Sequence, residues 1–183
     1  MSTDESRDRA PGDGRTSADG GTEAGIEALQ SEQAELVFSA FTPITAWDVG
    51  SRIVRLAIER GLGVAVDVRR ESHVLFHASL PGTTADNDRW IERKTATAFR
   101  FESSTLLVQR RFAQAGISPA DHGWLDARTH TLAGGAVPIT VRGAGMVAVA
   151  TVSGLSDDRE DHALVVEALR AELAAQQPAG GAA

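Results

Sequence analysis

The 183-residue chain contains no cysteine and no tyrosine, and aromatic residues make up only 5% of it. Without cysteine, the protein has no disulfide, no thiolate metal site, no iron–sulfur cluster and no cysteine nucleophile. Positive charge is also scarce, and the net charge of -7 argues against a broad electrostatic surface for nucleic acid. No apolar run approaches the roughly 20 residues that a membrane-spanning helix needs. The acidic N-terminus does not resemble a secretory signal. We therefore expect a cytoplasmic protein that has neither nucleic acid nor a membrane as a partner.

Both ends of the chain are polar and poor in large side chains. Residues 1–25 contain glycines, acids and arginines but no large apolar residue after Met1, and residues 177–183 consist of Gln, Pro, Gly and Ala. Such segments bury too little surface to offset the entropy lost on ordering them. We predict a disordered N-terminal tail over 1–25, one folded domain over 26–176 and a disordered C-terminal tail over 177–183.

Hydrophobic periodicity and capping residues predict the element order α-α-β-β-α-α-β-β-α. The second helix has Thr45 and Asp48 as a capping box, Asp86 or Asn87 caps the third, and Asp157 with Glu160 caps the last. The predicted elements are helices over 26–39 and 45–60, strands over 62–68 and 73–78, helices over 86–101 and 106–115, strands over 136–141 and 146–152, and a helix over 158–176. Two hairpins separated by helices indicate an α+β domain in which an antiparallel sheet is flanked by helices.

The third predicted helix places a lysine within an apolar stripe. At 3.6 residues per turn, Lys94 shares a face with Trp90, Ala98 and Phe101. The common explanation is a lysine whose stem packs while its ammonium reaches water, and the alternative is an ammonium directed into a ligand pocket. Ser103 and Ser104 follow this helix and either cap the next one or donate hydroxyl groups to a ligand near Lys94.

Three later segments contain the remaining candidate residues. Gly134 and Gly135 precede a strand, where they serve a tight turn or the close approach of a ligand. Ser153 ends the last strand, and Asp161 with His162 opens the last helix. The positive end of that helix favours a neutral His162 imidazole, the form that binds iron or accepts a proton. The more frequent role of such a histidine is hydrogen-bonded packing.

Three motifs together resemble a known family. They are DNDRWIERK over 86–94 with RFESS over 100–104, GGAVPI over 134–139, and VSGL over 152–155 followed by Asp161 and His162. This combination is similar to the haem-degrading-domain family that includes GlcG- and HbpS-like proteins. Within that family it resembles a branch filed among the uncharacterised protein families. The resemblance covers about 26–176. It departs from the branch at Ala133, where a histidine often precedes the glycine pair.

The resemblance implies a single profilin-like domain that assembles into homodimers or larger homo-oligomers and binds haem or a related small ligand. The candidate pocket consists of Lys94, Ser103, Ser104, Gly134, Gly135, Ser153, Asp161 and His162. In the haem hypothesis, Lys94 and nearby arginines pair with the propionates, and His162 is the candidate metal ligand. Two alternatives stay open: a non-catalytic oligomeric scaffold or adaptor, and a small-molecule enzyme with a Lys/Ser/Asp/His cluster. Because the chain has no cysteine, any bound haem lacks a thiolate ligand.

Overall fold

A computed structural model describes residues 22–119, 123 and 125–176, so most of the predicted N-terminal tail and all of residues 177–183 lie outside the described residues. The elements are α1 (Glu23–Glu35), β1 (Val37–Phe38), α2 (Pro43–Glu59), β2 (Ala65–Arg70), β3 (His73–Ser79), α3 (Ala85–Phe101), α4 (Thr105–Gln114), β4 (Ala136–Val141), β5 (Gly145–Ser153) and α5 (Asp158–Gln176). The α+β class is confirmed.

The strand β1 was not predicted from the sequence. We expected one helix over 26–39, but α1 ends at Glu35 and Val37–Phe38 pairs in parallel with Thr140 and Val141. Phe38 is completely buried, and its carbonyl accepts a hydrogen bond from the Arg142 amide at 2.9 Å. Val37 and Phe38 are too few residues to show the alternation that is typical of a strand. The helical periodicity of the preceding residues therefore led to a prediction of helix up to residue 39.

The five strands form one sheet in the order β1-β4-β5-β2-β3. Three neighbouring pairs are antiparallel as predicted, but the β1–β4 pair is parallel, so the prediction of a wholly antiparallel sheet is wrong at this edge. Because β1 reaches only Thr140 and Val141, the sheet has an open edge beside Pro138, which has no amide hydrogen to donate.

The two faces of the sheet are covered differently, and this difference positions the candidate site. The helices α2 and α5 pack on one face and enclose a large apolar core that includes Ile53, Val66, Ile139 and Leu169. The helix α3 packs over the other face, where the buried apolar cluster is small and the sheet contributes polar side chains such as Asp67 and Thr151. Lys94, the polar candidate on α3, therefore lies at this second face of the sheet.

Two helices begin at earlier caps than predicted. The helix α2 is capped by Thr42, whose hydroxyl accepts a hydrogen bond from the Thr45 amide at 3.2 Å, so Thr45 is the second member of the box. Likewise, Thr84 caps α3, and its amide donates to Asn87 Oδ1 at 2.8 Å. In both helices, a threonine three residues before Thr45 or Asn87 completes the capping box. The sequence prediction placed each cap too late in the chain.

Candidate functional site

The Lys94 ammonium is buried beneath α3 and bonded within the protein. Only 2% of the residue is exposed. Its Nζ donates to Asp161 Oδ2 at 2.6 Å and to the Val152 carbonyl at 3.0 Å. The lysine therefore does not snorkel to water, and while this pair persists its ammonium is not available to a propionate at the surface.

The Asp161 carboxylate joins the first turn of α5 to the end of β5. Its Oδ2 faces Lys94, and its Oδ1 accepts a hydrogen bond from the Leu155 amide at 3.2 Å. Burial raises the pKa of Asp161 above its ordinary value, because a charged carboxylate is costly in a dry site, and the nearby Lys94 ammonium opposes this rise. The pair thus connects α3, β5 and α5 at one point.

The glycine pair makes room for this connection. Gly135 has a φ of +121°, and a Cβ added there would lie 2.6 Å from the Val152 carbonyl oxygen and 2.8 Å from Lys94 Nζ. Gly134 lies against Asp158, whose Oδ2 accepts a hydrogen bond from the Gly134 amide at 2.7 Å. Gly135 therefore belongs to the Lys94–Asp161 cluster as the residue that leaves it space.

The three serines have other neighbours. Ser104 caps α4 by accepting from the Leu107 amide, and its own amide donates to Gln33 Oε1 at 3.0 Å. Ser103 accepts a hydrogen bond from Arg111 at 3.2 Å. Ser153 is buried at the end of β5, opposite Ala65. These hydrogen bonds do not connect Ser103 or Ser104 to Lys94.

His162 faces a different side of α5 from Asp161. Its Nε2 lies 2.7 Å from Glu32 Oε1 on α1, and its Nδ1 is buried without a hydrogen-bond partner among the described residues. In a neutral imidazole whose Nε2 donates to the Glu32 carboxylate, Nδ1 carries the lone pair. The predicted candidates thus separate into a Lys94–Gly135–Asp161 cluster and a His162–Glu32 pair.

The pair borders an open groove between α1 and α5. The groove has a volume of about 410 Å³. Its lining combines the imidazole with apolar and charged side chains: Leu29, Glu32, His162, Ala163, Val166, Glu167 and Arg170. An imidazole can ligate a haem iron, an apolar wall can pack on a porphyrin, and a guanidinium can pair with a propionate.

A second polar group beneath α3 was missed by the sequence interpretation. Asp67 is completely buried on β2, and Arg69 Nε and Nη2 lie 2.5 and 2.8 Å from its two carboxylate oxygens. His77 Nδ1 on β3 lies 3.4 Å from the same carboxylate. The sequence does contain a signal for this group, which is the aspartate within the apolar run 62–68. A charge in a buried strand requires a partner that neutralises it.

Arg93 and Arg100, the arginines near Lys94 in the sequence, have separate surroundings. Arg93 stacks on the Trp90 ring at 4.3 Å, a cation–π contact. Arg100 lines a cavity of about 430 Å³ together with Arg69, Phe99 and His130. Burial lowers the pKa of His130, and the positive charge of Arg100 adds to this effect.

The described part of the chain offers neither a cluster of metal ligands nor a membrane-spanning helix. Among residues 22–119, 123 and 125–176, no group of three or more His, Cys, Asp or Glu side chains is arranged to hold a metal ion. Within the same residues, no helix combines the length and apolar character needed to cross a membrane.

Comparison with known proteins gives the family. A model of the HbpS-like haem-degrading proteins matches residues 41–170. The chain is 47% identical over 144 residues to a UPF0303 protein of Streptomyces avermitilis, and the match covers 79% of this chain and 88% of that relative.

Solved structures share the fold. The Ybr137w protein is 31% identical with a TM-score of 0.75, covering 81% of this chain and 87% of its own. HbpS is 25% identical with a TM-score of 0.60, covering 76% and 95%. PduOC, solved as a haem complex, is 16% identical with a TM-score of 0.57, covering 70% and 94%, and this likeness shows the fold alone.

The chain therefore belongs to the HbpS-like family of haem-degrading proteins. Its curated relatives within that family are the UPF0303 proteins. The family resemblance stated from the sequence motifs is confirmed.

Proposed function

We propose that this protein binds haem or a related tetrapyrrole in the groove between α1 and α5, as part of a homo-oligomer. The observation that carries the proposal is His162, an imidazole that lines an open groove and whose buried Nδ1 has no hydrogen-bond partner among the described residues. The family match supports the choice of ligand, and PduOC is a protein of this fold that was solved with haem. When bound, haem would supply a redox-active iron. The chain itself has no cysteine thiol for redox chemistry.

The residues of the groove fit such a ligand. Leu29, Ala163 and Val166 offer an apolar wall, and Arg170 offers a guanidinium to a propionate. Arg170 already lies 3.4 Å from Glu32, so a propionate would compete with Glu32 for the same cation. These residues replace Lys94 in the haem hypothesis, because Lys94 is covered and paired with Asp161.

Glu32 covers the Nε2 atom of His162 and would influence which ring nitrogen a haem iron could reach. A metal-bound imidazole commonly donates its other ring N–H to a carboxylate, and Glu32 is placed to accept that hydrogen bond from Nε2. Coordination through Nδ1 would keep this hydrogen bond and require side chains over Nδ1 to shift. Coordination through Nε2 would instead require Glu32 to leave.

Titration with hemin tests the proposal. We expect the Soret band of hemin to shift and sharpen in the wild-type protein and not in His162→Ala. His73→Ala is the matched control, because His73 is exposed on β3 and lies outside the groove. An unchanged Soret band with wild-type protein rejects haem binding, and identical spectra for wild type and His162→Ala reject His162 as the ligand.

The homo-oligomer is supported by an exposed apolar surface, which we call the α2–β3 surface. It comprises Ile44 and Trp47 of α2, with exposed fractions of 71% and 61%, beside Phe76 of the edge strand β3. Exposed apolar side chains grouped beside an unpaired strand edge are typical of an interface between subunits. The same surface would serve the scaffold alternative. The profilin-like description remains a prediction.

The enzyme alternative receives no support from the geometry. Lys94 and Asp161 bond each other in a covered position, whereas His162 bonds Glu32 on the other helix. Acid–base work on one substrate requires these groups within direct or water-bridged reach of it. The same contacts support a structural role for the Lys94 cluster, which connects α3, β5 and α5.

A further inference from the structure

The cavity beneath α3 is separate from the groove between α1 and α5 and is a candidate for a second ligand site. It lies between the second half of α3, the end of β2 and the segment before β4, and its volume is about 430 Å³. This volume falls within the range of roughly 300–1,000 Å³ that is common for small-molecule sites. This cavity and the groove between α1 and α5 share no lining residue among those that the structure describes.

One wall of the cavity is the Arg69 guanidinium, which is held in place by the buried Asp67 carboxylate. Arg69 presents its Nε–Nη2 edge to Asp67, which is fully buried. Because the guanidinium is planar, its Nη1 side is directed away from Asp67, and Arg69 lines the cavity. Replacing a buried ion pair by apolar residues is often neutral or stabilising. Stability alone therefore does not account for Asp67, whereas holding Arg69 in one orientation toward a ligand does.

An acidic wall faces the same space. Glu92, Ala96 and Phe99 are spaced four and three residues apart on α3, so they lie on one face of the helix, and all three line the cavity. Glu92 and Arg69 line the same cavity. The Asp67 hydrogen bond is the main cause that raises the pKa of Arg69, and the charge of the Glu92 carboxylate adds to it. Glu71 supplies a second carboxylate to the lining.

The mixture of charges restricts the class of ligand. A simple anion would meet the repulsion of Glu71 and Glu92, and a simple cation would meet Arg69 and Arg100. A molecule that carries both charges satisfies both walls. Ala96 and the Phe99 ring add an apolar surface between the charged ends.

We propose that this cavity binds a small zwitterion, an α-amino acid with an apolar side chain. Arg69 holds its carboxylate, Glu92 holds its ammonium, and its side chain lies along Ala96 and Phe99. Asp67 is a positioning residue that acts through Arg69.

Binding of matched compounds to the haem-free protein tests this site. L-phenylalanine and L-leucine are the probes, and 3-phenylpropionate and 2-phenylethylamine are versions of phenylalanine that lack the amine or the carboxylate. Calorimetry should show an amino acid binding at least about tenfold more tightly than either partial compound, because each of these leaves one charged wall unpaired. Equal binding of 3-phenylpropionate would indicate an anion site and overturn the proposal, as would failure of both amino acids to bind at millimolar concentration.

Two variants locate the binding. Ala96→Met fills the cavity and should abolish binding, whereas Ala113→Met, the same change on an exposed position of α4, should leave it intact. Glu92→Gln should remove the preference for L-phenylalanine over 3-phenylpropionate, while binding of 3-phenylpropionate stays the same or improves. Glu92 is half-exposed and forms an ion pair with Arg89 on the surface of α3, so this variant should fold even if Ala96→Met does not. An unaltered preference in Glu92→Gln contradicts the assignment of the ammonium site.

Discussion

Lys94 Nζ lies 2.6 Å from Asp161 Oδ2, and only 3% and 2% of the two side chains are exposed. The two residues are far apart in the sequence and belong to α3 and α5. Their contact passes over Gly135, the only residue type that fits beneath it without a clash. The family motifs that contain these residues therefore meet in one structural cluster.

Removal of one member of this pair should destabilise the fold strongly. Lys94→Met leaves the Asp161 carboxylate buried without its cation, and breaking a buried pair in this way typically costs about 3–5 kcal/mol. The double variant Lys94→Met/Asp161→Asn should recover part of the loss, because no charge remains uncompensated. Urea unfolding of the single and double variants measures the coupling, and strictly additive losses would show that the pair does not interact.

The titration of Asp161 has a defined sign. Because its pKa is raised in the folded protein, the folded state binds the proton more tightly than the unfolded chain, whose ordinary value is 3.8. The stabilisation from this proton is fully present below 3.8 and is lost as the pH rises through the folded value. Carboxyl ¹³C titration of the wild type, assigned with Asp161→Asn, should give a midpoint above 3.8. A midpoint below 3.8 would mean that Lys94 outweighs burial.

Much of the fold could be predicted because its signals are local. The β4–β5 hairpin shows runs of small and β-branched residues around Gly143 to Gly145, and β4 has the predicted bounds 136–141. The two-residue β1 could not be found in this way, because its stability comes from Thr140 and Val141 of a distant strand. A parallel pair of this kind leaves no pattern in the segment itself.

The site was predictable only in part, because helix geometry separates sequence neighbours. Asp161 and His162 looked like one motif, but successive residues on a helix point about 100° apart. One therefore reaches Lys94 and the other reaches Glu32. The apolar stripe correctly singled out Lys94 as unusual, whereas its partner is 67 residues away and only the packing of α5 brings the two together.

Gly135 should tolerate no side chain. In Gly135→Ala the Cβ would lie 2.6 Å from the Val152 oxygen, and the φ of +121° is unfavourable for alanine. We expect a loss of about 3–5 kcal/mol, since overpacking and the unfavourable backbone conformation act together. Gly143→Ala is the matched control: its φ is +78° and nothing lies within 4 Å of the added Cβ. Chemical denaturation should show a loss of only about 1–2 kcal/mol there, and equal losses at both positions would remove the special role of Gly135.

The α2–β3 surface should control assembly. Trp47 is exposed by 61% while its ring contacts Phe76 edge-on at 5.6 Å, so it is held in place and still open to a second copy. Trp47→Glu places a charge in the proposed interface, and desolvating that charge on association is costly. Light scattering coupled to gel filtration should therefore show a smaller particle than the wild type.

The matched control for this prediction is Ile58→Glu. Ile58 is similarly exposed, at 64%, but lies near the opposite end of α2, about 21 Å from Ile44 at 1.5 Å per residue. It should leave the particle mass unchanged. If both variants dissociate the protein equally, the interface is not confined to the α2–β3 surface. A wild-type monomer at micromolar concentration would reject the homo-oligomer, and with it the scaffold alternative, while leaving the hemin titration as a separate test of the groove.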